Sequence, residues 1–219
     1  MHYVGGIQDM IEMEQELKKA LTELRKKEQR KFNQTLDLVI NLQKFDVKKD
    51  SVNLFVQLPH KIKSKKICAF LTSKHKDLDT VTEADFKKYS DKKELKKLES
   101  SYDFFISQAI LMPKVATVFG RVLGPSGKMP SPQLGIVQSA EDKSIEELKE
   151  KIDHIVRIKS KEPSIKLAIG KQNMKDEELV ENIMSIYNSL LKALPKSNDN
   201  IKNVEIKFTM TKPQKIYLK

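Results

Sequence analysis

The chain has 219 residues, 39% hydrophobic and 32% charged, a globular composition that excludes a disordered polyelectrolyte and allows one large domain or two small ones. A formal net charge of +11 and a pI near 9.5 point to a polyanionic partner, nucleic acid or an acidic membrane surface, with a merely soluble lysine-rich surface as the plain alternative. The single cysteine, Cys68, excludes an intramolecular disulfide, and no apolar run has the length of a membrane span.

Met10, Met13, Leu17, Leu21 and Leu24 recur at helical spacing, which predicts an amphipathic helix over 7–27. Phe32, Leu36, Leu38, Ile40 and Leu42 share one parity, the pattern of a half-buried strand, and Val52, Leu54, Val56 and Leu58 repeat it up to Pro59. A basic link, 61–66, leads into the continuous apolar run 67–71, which reads as a buried parallel strand holding an inert Cys68 thiol. A helix over 83–97 is announced by the Thr82–Asp85 capping box, and a second box, Ser144–Glu147, opens a helix ending near Asp153. Between them, 102–106 reads as another buried strand.

From residue 155 the texture returns to alternation. Strands are expected at 156–159 and 165–169, joined through Pro163, and the stripe Leu179, Ile183, Ile186, Leu190 and Leu194 predicts a helix stopped by Pro195. Val204, Ile206 and Phe208 make a strand, followed by Thr209-Met210-Thr211 and a short strand over 215–218. The two ends share one style and the middle another. The expected fold class is therefore α/β: an α+β domain split by an inserted domain with a parallel sheet, with chain crossings near 60 and 155 as a two-strand hinge.

The arginines stand at 25, 30, 121 and 157, and the other 37 basic residues are lysines. Lysine supplies long-range attraction to phosphate, whereas arginine makes fork-shaped contacts. Residues 28–35 gather Glu28, Arg30, Lys31, Phe32 and Thr35 with amides at a helix-to-strand junction, a mixture suited to phosphates, 2′-OH groups and base edges. Phe32 is equally well read as the first core residue of the strand. The segment 119–130 holds a Gly-Lys pair like that of a phosphate-binding loop, but Val122 stands where that loop needs glycine and Met129 where it needs Ser or Thr. A surface loop touching RNA backbone and a purely structural turn both remain open for it. The histidines, 2, 60, 75 and 154, do not pair at metal-ligand spacing, so no metal and no cofactor are expected. Two other classes compete with RNA binding: an enzyme that binds a nucleotide through the 120–130 glycine loop, and a membrane- or protein-binding scaffold using the lysine-rich helix at 87–97.

The motif 31–37, Lys-Phe-Asn-Gln-Thr-Leu-Asp, resembles the lysine-phenylalanine-x-x-threonine strand of the L-one family of large-subunit ribosomal proteins. So do the 53–60 strand ending in Leu-Pro-His, the run 102–106, the signature 123–130 (Leu-Gly-Pro-Ser-Gly-Lys-Met-Pro), Ile169-Gly170-Lys171 and Thr209-Met210, all in collinear order. The lysine-rich style resembles the archaeal members. The resemblance implies two domains, 1–62 with 156–219 as the rRNA binder and 63–155 as a Rossmann-like insertion that binds no nucleotide. It implies binding to the large-subunit rRNA stalk near the tRNA exit site, contact with exit-site tRNA, and repression of the chain's own mRNA. A non-enzymatic cytoplasmic protein of the ribosome is expected, monomeric when free, with no membrane partner. Lys31, Phe32, Thr35, Thr209 and Met210 match the family's RNA-contacting positions. Thr211 continues that RNA-contacting segment but stands where the family has glycine, so a side chain there is expected to intrude on close backbone approach. Glu28, Arg30, Arg157, Lys159, Lys166 and Lys171 are further RNA-facing candidates, and Gly124, Gly127, Lys128 and Met129 form a secondary RNA-contact loop.

Overall fold

The computed structural model describes residues 3–27, 31–47, 49–50, 52–138, 142–160 and 162–217. In chain order these form helix α1 (Tyr3–Lys27), strands β1 (Thr35–Leu42), β2 (Asn53–Gln57), β3 (Ile67–Phe70) and β4 (Asp79–Val81), and helix α2 (Lys92–Ser101). Strand β5 (Phe104–Gln108), helix α3 (Met112–Ser126), strand β6 (Ile136–Val137) and helix α4 (Asp142–Asp153) follow. The chain closes with β7 (Ile155–Lys159), β8 (Ser164–Lys171), helix α5 (Asp176–Ala193), β9 (Ile201–Phe208) and β10 (Gln214–Ile216). Two compact units result, Met1–Ile62 with His154–Lys219, and Lys63–Asp153.

The first unit is built on an antiparallel sheet in the order β10-β9-β1-β8. Alternation fixes its faces: Leu36, Leu38, Ile40 and Leu42 are buried, whereas Thr35, Asp37, Val39 and Asn41 are half-exposed on the other face. The buried face joins Met13, Leu17, Leu21 and Leu24 of α1 and Leu179, Ile183, Ile186 and Leu190 of α5 in one core. Met10 is exposed and stands outside the buried stripe that Met13, Leu17, Leu21 and Leu24 form. Strands β2 and β7 form a separate two-stranded sheet, adding Val52, Val56, Leu58 and Ile158 to the same core. Strands β7 and β8 therefore pair into different sheets, although Pro163 alone suggested a simple junction between them.

One irregularity matters for the site. Between Leu36 and Asp37 the register on β8 jumps from Gly170 to Ala168, leaving Ile169 as an extra residue. This bulge inverts the parity of β8. Ile169 and Gly170 are both buried, and Lys171 lands on the open face opposite Thr35. Glycine is required at 170 because a Cβ there would collide with the buried Leu179 side chain.

The second unit carries a parallel sheet, β4-β3-β5-β6. All of β3 is buried, as its apolar run predicts, and Cys68 is a free, buried thiol pushed up to about 12 by desolvation and then by Asp79. Phe119 of α3 is the hub of its core, with ring centroids 4.7 Å from Phe70, 5.2 Å from Phe86 and 5.5 Å from Tyr89. The single helix expected over 83–97 is two: a 3₁₀ helix, Glu83–Ser90, loses helical backbone at Tyr89, and Asp91 then caps α2 by accepting from Lys93 N at 3.1 Å. α4 begins at Asp142, so Ser144 lies inside its first turn instead of capping it.

The Thr82–Asp85 box is present. The Asp85 carboxylate accepts from the Thr82 hydroxyl at 2.7 Å and from its backbone N–H at 3.3 Å, and pairs with Lys88. The Lys88 bond, then the Thr82 bonds, hold its pKa down at about 2 against a usual value of 3.8. A depressed carboxylate pKa stabilises the fold above the unfolded value, and the effect is lost as pH falls toward about 2. Asp85→Asn is thus expected to lower the melting temperature near neutrality and to match the parent at the acid end of that window. Calorimetry from neutral to strongly acid pH reads it, and a difference independent of pH would contradict it.

Candidate nucleic-acid interface

The antiparallel sheet of the first unit ends in two chain segments, 31–35 entering β1 and 209–211 leaving β9, which are stitched together. Thr209 N–H donates to Thr35 O at 3.1 Å, and the Thr209 hydroxyl accepts from Thr35 N at 3.1 Å while lying 3.3 Å from Thr35 O. Gln34 is fully buried below them. Its Oε1 accepts from Met210 N at 3.0 Å and its carbonyl accepts from Gln172 N at 2.8 Å. The Gln34 Nε2 has no partner among the described residues. Asn33 and Asn173 exchange hydrogen bonds of 3.0 and 3.3 Å, tying in the β8–α5 connection. That connection is anchored in turn by Arg25 of α1, which donates to Gln172 O, Met174 O and the Asp176 carboxylate.

On this rigid frame stand two large exposed apolar side chains, Phe32 at 51% and Met210 at 55% exposure. Phe32 lies outside β1 and outside the core, which settles the alternative left open by its parity. Beside it the Lys171 ammonium donates to the Thr35 hydroxyl at 2.8 Å, so the hydroxyl hydrogen is directed elsewhere. Asp37 lies opposite Lys207 on β9. Its pKa is raised, chiefly by desolvation, an effect partly offset by Lys207 and Lys171. The carboxylate cancels one of the two ammonium groups, leaving a single positive charge among mainly neutral groups. The chemistry of the patch is a hydroxyl, amides and backbone edges flanked by two exposed apolar side chains.

Lys31 is exposed at the edge of this patch, and Lys166 is exposed farther along the open face of β8, opposite Val39. Thr211 departs from expectation. It is buried, its hydroxyl accepts from Phe208 N at 2.9 Å, and it presents no side chain to a ligand, so the anticipated intrusion does not occur. Arg157 and Lys159 belong to the separate β2–β7 sheet. Arg157 donates to Asn53 Oδ1 and its guanidinium lies 5.4 Å from the Phe55 ring centroid. Glu28 and Arg30 lie outside the described residues. Lys207 joins the site through cross-strand pairing with Asp37, and Asn173 through its bonds to Asn33, neither of which sequence order displays.

The segment 120–130 is a loop only after residue 126. Helix α3 runs to Ser126 through Gly120, Gly124 and Pro125, and Gly127, at φ 76°, ends it in the left-handed conformation. Its bonds from Gly127 N to Gly124 O and from Lys128 N to Leu123 O, both 3.0 Å, close the helix. A phosphate loop needs the positive N-terminal end of a helix, whereas this Gly-Lys pair sits at the negative C-terminal end. The Lys128 ammonium is turned inward to Glu99 O, Tyr102 O and the Glu99 carboxylate, and Met129 packs against the core. Gly124 remains exposed. Among the described residues no group of His, Cys, Asp and Glu could hold a metal ion, and no helix is long and apolar enough to cross a membrane.

Comparison with known proteins gives one consistent result. The model of the ribosomal protein L1p/L10e family matches residues 24–212. Relatives named large ribosomal subunit protein uL1 include those of Thermofilum pendens, 36% identical over 93% of this chain and 92% of its own, and Cenarchaeum symbiosum, 31% identical over 90% and 94%. That of Nanoarchaeum equitans is 33% identical over 85% of this chain and 92% of its own.

Proposed function

Because the chain belongs to the ribosomal protein L1p/L10e family, we propose that it is a non-enzymatic component of the large ribosomal subunit that holds the base of the rRNA stalk through the Phe32–Thr35–Lys171–Thr209–Met210 patch. The observation that carries the reading is the pair of exposed apolar side chains set beside the Thr35–Thr209 stitch. Ile110 and Tyr217 are more exposed still, so exposure alone does not mark the site; the pairing of two apolar side chains with a rigid polar edge does. RNA shape would be met by the preformed sheet edge. The Thr35 hydroxyl and nearby backbone groups would reach 2′-OH groups, Phe32 and Met210 would shield those bonds, and Lys31, Lys166, Lys171 and Lys207 would add phosphate attraction.

In the same reading the protein acts on the cytoplasmic ribosome, beside the exit site for deacylated tRNA. It assists release of that tRNA and represses translation of its own mRNA by binding a stalk-like structure in it. The chain is monomeric when free. Arg157 and Lys159 enter only as long-range cations from another sheet, and the 124–129 segment only through its exposed end at Gly124, since Lys128 is committed inward. Hydroxyl-radical footprinting on large-subunit rRNA and on the chain's own transcript tests the proposal. Protection confined to one stalk element, and to a similar element in the transcript, is expected. Diffuse protection would sink the rRNA assignment, and a bare transcript would sink repression alone.

A further inference from the structure

A groove of about 860 Å³ runs between α2 and α3 in the second unit. Its apolar lining comes from Val122 and Pro125, and its rim carries Lys92, Lys96, Lys97 and Arg121, all exposed. Among the described residues none of these four cations has an ion-pair partner. The carboxylate in the groove, Glu99, is held by Lys128 at 3.1 Å. Helix α2 also sets Lys92 against Lys96 and Lys93 against Lys97, like charges one turn apart, which weaken a helix unless an anion lies over them. Another groove of the same unit mixes Lys65, Lys66, Lys76 and Lys149 with Asp77 and Asp79, a smaller excess of two positive charges against three.

We infer that the α2–α3 groove is a second RNA seat, one that takes the phosphodiester backbone without reading its sequence. This rests on the reading of the chain as an rRNA-binding protein. The groove has charge but little means of base recognition. Ser100 and Ser126 donate their hydroxyls to the helix carbonyls of Lys97, Val122 and Leu123, and no aromatic ring lines the groove. Four cations over a stripe of helix surface match a polyanion. Because exposed ammonium groups act through counterion release, the contribution must fade as salt rises. The groove thus collects RNA at low salt and leaves the choice of RNA to the patch at Phe32 and Thr35.

The test uses the full chain with Lys92→Gln, Lys96→Gln, Lys97→Gln and Arg121→Gln combined. A charge-matched control combines Lys74→Gln, Lys87→Gln, Lys149→Gln and Lys151→Gln. Affinity for a uridine oligomer is measured by filter binding across a salt series, with circular dichroism to check folding. The groove variant is expected to lose roughly tenfold or more at low salt and to flatten the log–log salt dependence by about three, near 0.7 per phosphate released. The control should lose less than about threefold, and replacing the three groove lysines with arginine should preserve binding. Equal losses in groove variant and control would overturn the groove, as would arginine variants that fail to bind. Loss of binding to anionic vesicles with RNA binding intact would assign the groove to a membrane surface and overturn it too. A parent chain that shows no preference for stalk rRNA would refute the proposed function, while the uridine series still decides the groove.

Discussion

Thr35→Ala is expected to weaken binding of stalk rRNA by roughly 10- to 30-fold, about 1.5–2 kcal/mol, the cost of deleting one buried hydrogen bond beside a charged partner. The hydroxyl accepts from Lys171 at 2.8 Å, so its hydrogen is available to a ligand oxygen, and its removal also frees the ammonium to wander. Thr35→Ser keeps both bonds and should bind within about threefold of the parent. Thr209→Ala acts by another route. Its hydroxyl is already committed to the backbone of Thr35, so its loss loosens the stitch that places Met210. Either change should exceed the effect, at high salt, of removing any single lysine between 87 and 97. Filter binding at matched salt measures it, and equal losses would contradict the site assignment.

Phe119→Ala is expected to cost the second unit about 3–5 kcal/mol, the usual penalty for emptying a ring-sized space in a packed core. Phe119 is fully buried and touches three other rings, from β3, from the 3₁₀ helix and from its end at Tyr89. Collapse around the gap would have to move all of them. Urea unfolding followed by a probe in 63–153 should show the loss, and a shift below about 1 kcal/mol would mean that the cluster is looser than its geometry. Stalk-rRNA affinity of the folded protein should change little at high salt, because the patch is built wholly within the first unit.

The elements that alternation or helical stripes announce are where the sequence places them. β1 buries Leu36, Leu38, Ile40 and Leu42, and α5 buries Leu179, Ile183, Ile186 and Leu190. What was illegible has physical causes. β4 and β6 are three and two residues long, too short for any period to show. α3 was hidden because its glycines and prolines read as turn formers. Pro113 sits in the first turn, where its missing N–H costs nothing, and Pro125 sits in the last, where it removes a single bond. The helix over 83–97 looked continuous because Asp91 serves as a cap only once the chain turns at Tyr89.

The site was legible in part, for a related reason. Motif resemblance marks Lys31, Phe32, Thr35, Thr209 and Met210, but the parity of Phe32 fits core and surface equally, and its exposure decides between them. Lys171 faces Thr35 because of a one-residue bulge that no pattern announces. Thr211 looked obtrusive because a glycine was expected there, whereas its hydroxyl folds back onto Phe208. Arg157 and Lys159 looked like neighbours of the patch in sequence style, but strand pairing puts them on another sheet.

The central claim is a division of labour: a patch whose contacts are mostly neutral chooses the RNA, and the dispersed lysines attract it. A salt titration of stalk-rRNA affinity, run on the parent, on Thr35→Ala and on the four-fold groove variant, tests it most directly. The account predicts that the Thr35→Ala line runs parallel to the parent, displaced by the same roughly 10- to 30-fold at every salt concentration, whereas the groove line converges on the parent as salt rises. A Thr35→Ala line that converges with the parent at high salt, or a groove line that stays parallel below it, would contradict the account.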